Sequence, residues 1–336
     1  MKVVVTGGAG FVGCNLAIAL AKRGDSVVLA DNLSRPGSAA NLEAMMADPE
    51  LSPHLTFVDM DVRDADACNA LMAGGVDGVA HFAAQVSVTQ SLVDPVADFE
   101  INARGTLNVL EAVRAHAPEA HVLFTSTNKV YGGLEDLQLE KHETRYVLPT
   151  LPQGISEGFP TTAKTPYGVS KLVGDLYVQD YAHTYDLNTT VFRMSCIYGT
   201  RQNGNVDQGW VSWMVRAALS AQDLTIYGDG LQVRDLLHVD DLVEAVITIL
   251  TTDLGRGEVF NMGGGPEFSM SVWAEFGAVL EGLLGRPVAV AYDEWRSGDQ
   301  RVYISDIAKA CNRLSWRPKR SPEDGIAEVL AWVQSR

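Results

Sequence analysis

The sequence predicts an α/β protein, a doubly wound parallel sheet with a smaller mixed α/β lobe. Three observations predict it. Short apolar runs alternate with amphipathic stretches through the first half of the chain, the rhythm of strands crossed over by helices. A glycine-rich turn, Thr6-Gly-Gly-Ala-Gly-Phe-Val-Gly13, joins the first apolar run to the first amphipathic one. Beyond Arg193 the rhythm breaks into shorter, mixed segments. A chain of 336 residues has room for two lobes. The expected division is 1–194 for the sheet domain and 195–336 for the lobe, with about 234–262 returning to the sheet domain.

Val3–Val5, Ser26–Ala30, Leu55–Val58, Gly78–His81 and Val122–Phe124 read as buried parallel strands. Between them, residues 11–23, 38–47, 64–73 and 97–116 read as helices in right-handed crossovers. A long helix over 167–186 and a strand over 189–194 continue the pattern. Residues 195–209 are polar and glycine-bearing, as a substrate loop would be. Trp210–Ala221 reads as a helix, Leu224–Ile226 as a short strand and Val239–Thr251 as a helix. Gly263-Gly-Gly-Pro266 is a loop before a helix over 269–284.

Composition bounds the function. A hydrophobic share of 46% with 20% charged residues is ordinary for a soluble globular protein. The net charge of −16 opposes non-specific nucleic-acid binding. Cys14, Cys68, Cys196 and Cys311 are scattered without metal-ligand spacing and read as reduced thiols, so no metal is expected. No run reaches the ~18 apolar residues of a membrane span, and Met1-Lys2 leads directly into the first strand with no leader pattern. A cytoplasmic protein is the expectation.

The glycine turn lies between a strand and a helix, the context of a dinucleotide site. Gly7 permits the tight turn, Gly10 lets the backbone approach a pyrophosphate, and Gly13 allows close helix–strand packing. The N–H groups around Phe11 and Val12 then face negative charge. Asp31, ending the second strand, suits the ribose hydroxyls and repels a 2′-phosphate, which favours NAD over NADP. Arg35 pulls the other way, because a guanidinium pairs with that phosphate. Asp61-Val62 follows the third strand as an adenine contact, and Phe82-Ala83-Ala84-Gln85 brings small side chains after the fourth. Asn32, Ser34, Asn102 and Thr125 complete the expected cofactor set.

Tyr167-Gly-Val-Ser-Lys171 places a phenol and an ammonium one helical turn apart. An isolated tyrosine titrates near 10 and is a poor base at neutral pH. A neighbouring ammonium would favour the phenolate. Thr127, at the end of the fifth strand, is placed to hydrogen-bond the reacting hydroxyl.

Thr6–Gly13, Asn102-Ala-Arg-Gly-Thr-Leu-Asn108, Thr127 through Tyr131-Gly132 and Tyr167–Lys171 resemble the extended short-chain dehydrogenase/reductase family of nucleotide-sugar enzymes, over nearly the whole chain. The resemblance implies a Rossmann fold, bound NAD, Thr127, Tyr167 and Lys171 as catalytic residues, a nucleotide-sugar substrate and a homodimer. More narrowly, Asp31-Asn-Leu-Ser-Arg35, Ser126–Gly132, Ser195–Gly199 and Asp207-Gln-Gly-Trp-Val211 are similar to the branch that inverts C2 of a CDP-linked sugar. Dehydratases of the family carry an acidic pair after the threonine. Asn128 and Lys129 stand here instead, which disfavours loss of water and makes both candidate sugar contacts. By position in the family, Arg234 and Arg296 are expected at the diphosphate, and Gln85, Gln202, Val211 and Cys196 near the sugar or base. Ser297 stands where the family usually has proline. UDP-hexose or UDP-uronic acid 4-epimerisation is the nearest alternative. A 4,6-dehydratase or a non-catalytic NAD-sensing module is less well supported.

Overall fold

The computed structural model describes residues 1–336 apart from Ala221 and Ser297. Its centre is a seven-stranded parallel sheet of β1 (Lys2–Thr6), β2 (Ser26–Asp31), β3 (Leu55–Asp59), β4 (Gly78–His81), β5 (His121–Thr127), β6 (Thr189–Met194) and β7 (Glu258–Met262), in the order β7-β6-β5-β4-β1-β2-β3. The order reverses at β1, so the crevice at its carboxyl end lies where the chain leaves for opposite sides of the sheet.

Strand alternation builds the two faces. Val3, Val5, Val27, Leu29, Ala80 and Leu123 point to one side and pack on Leu16, Leu20, Leu242, Val246 and Ile249. Val4, Val28, Val79, Val122 and Phe124 point to the other and pack on Cys68, Met72, Val109, Val113 and Val178. Both faces are covered, which is why these strands are apolar throughout.

The helices over Phe11–Lys22, Ser38–Ala47, Ala65–Met72 and Val239–Thr251 follow the sequence expectation closely. Three places differ. The helix expected over 97–116 begins at Pro95 and contains a π-helical turn, Glu100–Arg104, between α-helical Pro95–Phe99 and Gly105–His116. The helix expected over 269–284 is confined to Phe276–Leu284, because Ser269–Ser271 pairs antiparallel with Val233–Asp235. Reciprocal bonds, Glu275 N to Ser271 Oγ at 2.9 Å and Ser271 N to Glu275 Oε2 at 2.8 Å, mark the change from strand to helix. The helix expected to reach Ala221 is described over Trp210–Leu219, and Ala221 lies outside the described residues.

Val233–His238 is the spine of the small lobe, beside Cys196–Tyr198, Ser269–Ser271 and Val302–Tyr303. A further parallel pair, Leu224–Tyr227 with Val290–Asp293, stands beside it. The Pro166–Tyr185 helix starts with Thr165 accepting from Gly168 N at 3.2 Å and ends in left-handed Asp186. It is fixed to β6 by a buried ion pair, Arg193 Nε to Asp175 Oδ2 at 2.9 Å. Among the described residues no helix is long and apolar enough to cross a membrane.

Candidate active site

The glycine turn closes over β1 with little clearance. Gly7 has φ +68°, and a Cβ there would stand 2.8 Å from Ala83 N. A Cβ on Gly13 would lie 2.2 Å from Gly7 O, so the first helix packs on the turn only through hydrogen. Gly10 caps the Phe11–Lys22 helix with no side-chain partner, and its first turn carries no acid. The orphan N–H groups and the positive end of the helix dipole therefore face an open cavity.

That cavity has a volume of 670 Å³. Its walls include Gly7, Gly10, Phe11, Val12, Asp31, Asn32, Ser34, Arg35, Asp61, Val62, Phe82, Ala83, Ala84, Thr125, Tyr167 and Lys171, all expected as cofactor contacts. Asn102 is the exception. It lies behind the wall, 1% exposed, with its amide bonded to Gln85, Asp98 and Ser170. Asp31 accepts from Ala9 N at 3.0 Å and Leu33 N at 2.8 Å, so the carboxylate also stiffens the turn it overlooks. Asp61 accepts from Asn32 Nδ2 at 2.8 Å, and the Arg63 guanidinium hydrogen-bonded to it brings its carboxyl down to about 2. Arg35 donates to Gln208 Oε1 at 3.1 Å. Ser126 Oγ, on the same wall, is a buried hydroxyl without a protein partner. A clearance that only glycines allow, bare helix N–H groups and an unpartnered hydroxyl fit an extended phosphate-bearing dinucleotide.

A second cavity of 580 Å³ meets the first at Thr127, Tyr167, Ser195, Ile197, Gln202, Asp207 and Gln208. Asn128, Lys129, Cys196, Val211, Arg234 and Arg296 line it, so the structure brings together the residues expected at a sugar and diphosphate. Arg234 donates to Asp299 Oδ1 at 2.6 Å, and Lys129 Nζ is 3.6 Å from the same oxygen. Arg296 lies over the Tyr227 ring at 3.9 Å and reaches Asp207 at 3.8 Å. Ser297 lies outside the described residues. Gln85 lines the cofactor cavity, but its amide is taken up by Ser87 and Asp98. The Gln202 amide is likewise held by Ser212 and Ile197 O. Trp210 Nε1 donates to Cys196 Sγ at 3.5 Å, and burial pushes that thiol up.

Tyr167 and Thr127 both stand where the cavities join. Burial raises the Tyr167 phenol above its ordinary value, opposed by Thr127 and the Arg35 guanidinium. Lys171 is itself 3% exposed, its Nζ 4.2 Å from the Phe124 ring centroid, and burial brings it to about 7. Sequence spacing placed the two groups on one helix but carried no information on how deeply Lys171 is buried. It also missed Asp98, which no motif marks.

Residues 3–263 match the family model described as the NAD dependent epimerase/dehydratase family. The chain is 39% identical to CDP-paratose 2-epimerase of Salmonella typhi, covering 100% of both chains. It is 33% identical to dTDP-glucose 4,6-dehydratase of an Actinoplanes species, covering 100% of this chain and 98% of that one. Its fold superposes with a TM-score of 0.85 and 27% identity on UDP-glucuronic acid 4-epimerase from Bacillus cereus, solved with UDP-glucuronic acid and NAD, covering 100% and 99% of the two chains. The cradle, the Thr127–Tyr167–Lys171 cluster and this full-length similarity together place the chain in the NAD-dependent epimerase/dehydratase family, as an NAD-dependent epimerase of nucleotide-linked sugars.

Proposed function

We propose that the enzyme inverts C2 of a CDP-linked sugar of the paratose type. One observation carries the reading: Tyr167 and Thr127 face the junction of the two cavities, with Asn128 and Lys129 following where dehydration would need carboxylates. Among the described residues lining the second cavity the acids are Asp207 and Asp299, and Asp299 is held by Arg234 and Lys129. Asp299 is therefore not free to protonate a leaving hydroxyl.

NAD, held by the glycine turn and Asp31, would supply a reversible hydride acceptor. The protein's part is proton handling and orientation. Thr127 hydrogen-bonds the reacting hydroxyl and Tyr167 takes its proton, returning it when the carbonyl is reduced on the opposite face. Lys171, held close by, offers an ammonium that favours the phenolate when charged. Arg234 and Arg296 clamp the diphosphate, whose two-pronged oxygens suit guanidinium groups.

Two coarser features complete the reading. Leu92, Val93, Val96, Phe99, Val169, Leu176 and Tyr177 are exposed on helices that contact one another, an apolar surface that suits a homodimer. The cysteines stand unpaired, as suits the reducing cytoplasm. Incubation with CDP-paratose and with UDP-glucose, UDP-galactose and UDP-glucuronic acid, followed by proton NMR of the ring, tests the function. Inversion at C2 of the CDP-sugar is expected. Inversion at C4 of a UDP-sugar, with the CDP-sugar untouched, overturns the reading in favour of a 4-epimerase.

A further inference from the structure

Asp98 is 0% exposed, and among the described residues no cationic group lies within ion-pair distance of it. Its carboxylate accepts from three neutral donors: Ser170 Oγ at 2.5 Å, Gln85 Nε2 at 2.7 Å and Asn102 Nδ2 at 3.2 Å. Those donors belong to three different segments. Gln85 is on the loop after β4 that forms the cofactor cavity's wall. Asn102 sits in the π-helical turn. Ser170 is on the Pro166–Tyr185 helix, next to Lys171. Asn102 closes the set by donating to Ser170 Oγ at 3.1 Å and accepting from Gln85 N at 2.9 Å. A carboxylate taken out of water without a salt bridge costs several kcal/mol unless its neighbours compensate it. A neutral amide would satisfy most of the same donors, so the negative charge needs a reason.

We propose that Asp98 is a positioning residue for the reaction, holding the Tyr167–Lys171 turn against the loop after β4 and setting an anion near the lysine; this rests on the roles given to Tyr167 and Lys171 above. The groups around Lys171 support it. On its own helix Asp175 is committed to Arg193 at 2.9 Å. On β4, His81 is buried and neutral, pushed down to about 3 by burial and by Lys171 itself. From β5 the lysine meets the Phe124 ring. Asp98 is therefore the anion near Lys171 that no arginine claims, and it favours the ammonium as Asp175 does. The carboxylate also disfavours the Tyr167 phenolate. Its benefit accordingly lies in the charge on Lys171 and the placement of its helix.

The test compares Asp98→Asn with wild type by the pH dependence of kcat and KM, and by NMR titration of 13Cε-labelled lysine with the Lys171 signal assigned through Lys171→Met. Losing the charge should move the Lys171 midpoint down by about one pH unit. The alkaline limb of kcat should move with it, leaving kcat at pH 8 roughly tenfold lower and KM within about twofold. A titration curve and a pH profile that both superpose on wild type overturn the proposal. If Asp98→Asn does not fold, Ser170→Ala cuts the tether and keeps the charge. It should lower kcat several-fold at every pH with the Lys171 midpoint unmoved, and an unchanged kcat overturns the positioning role. Tyr167→Phe in the same assays separates the two layers. An active Tyr167→Phe removes the acid–base assignment itself, whereas an inert one beside a wild-type-like Asp98→Asn removes only the role of Asp98.

Discussion

At the scale of single residues, the strongest expectations concern groups that the fold has taken out of water. Tyr167 is a phenol that burial raises above its ordinary value, so Tyr167→Phe deletes the proton carrier and leaves the cavity's shape. Its kcat should fall by about 10²–10⁴ while NAD content, read by absorbance of the purified protein, stays at the wild-type ratio. Asp31 accepts two backbone N–H groups as well as overlooking the cavity. Asp31→Ala should weaken NAD relative to NADP by about tenfold, the worth of one charge-assisted hydrogen bond; a ratio unchanged in fluorescence titration removes Asp31 from ribose recognition. The buried imidazoles set the acid limit. His81 and His121 are held neutral by burial, at about 3 and about 4, against 6.5 for the exposed group. Their folded values are depressed, so between those values and 6.5 the unfolded chain binds more protons. Stability is therefore lost as pH falls below 6.5, by about 1.4 kcal/mol per pH unit for each group. Urea unfolding at pH 7, 5.5 and 4.5 should show that slope, and His121→Asn should reduce it.

At the scale of elements, the legible parts are those whose pattern is local. The five strands of the first half are short apolar runs, and the glycine turn and Tyr167–Lys171 spacing announce themselves within a few residues. What the sequence hid depends on distant partners. Ser269–Ser271 is a strand because Val233–Asp235 pairs with it, and helical periodicity over 269–284 says nothing of that. The π-helical turn at Glu100–Arg104 is equally silent, as is Asp98, whose meaning comes from Gln85 and Ser170 on other segments. Asn102 was expected against the cofactor and instead stands behind the wall, since an asparagine in a motif does not reveal which side of its helix the cavity lies on. The glycine turn permits a test at this scale. Alanine at Gly13 would press its Cβ to 2.2 Å from Gly7 O, and backbone on both sides leaves nothing flexible to yield. Gly13→Ala should destabilise by about 1–3 kcal/mol and strip NAD from the purified protein. Full NAD occupancy at an unchanged thermal midpoint would show the helix can shift away from the turn.

At the scale of the molecule, the catalytic helix has two jobs on opposite faces. Ser170, Lys171, Gly174, Asp175 and Val178 face inward to the site and the sheet. Val169, Leu176 and Tyr177 face out, 46%, 53% and 40% exposed. The neighbouring helices contribute Leu92, Val93, Val96 and Phe99, of which Val93 and Val96 are 75% and 71% exposed. A patch built on three neighbouring helices can pair with its own copy about a twofold axis. Leu176→Glu combined with Val96→Glu sets carboxylates facing one another across such an axis, and light scattering should then report a monomer against the dimer expected of wild type. Asp98 and Ser170 sit on the inner side of those same helices, so loosening the outer face should also loosen the Tyr167–Lys171 turn. A monomeric variant should therefore lose kcat several-fold while keeping its NAD. If the double variant remains dimeric, the contact lies on another surface. If it is monomeric with full activity, the inner and outer faces of these helices are energetically independent.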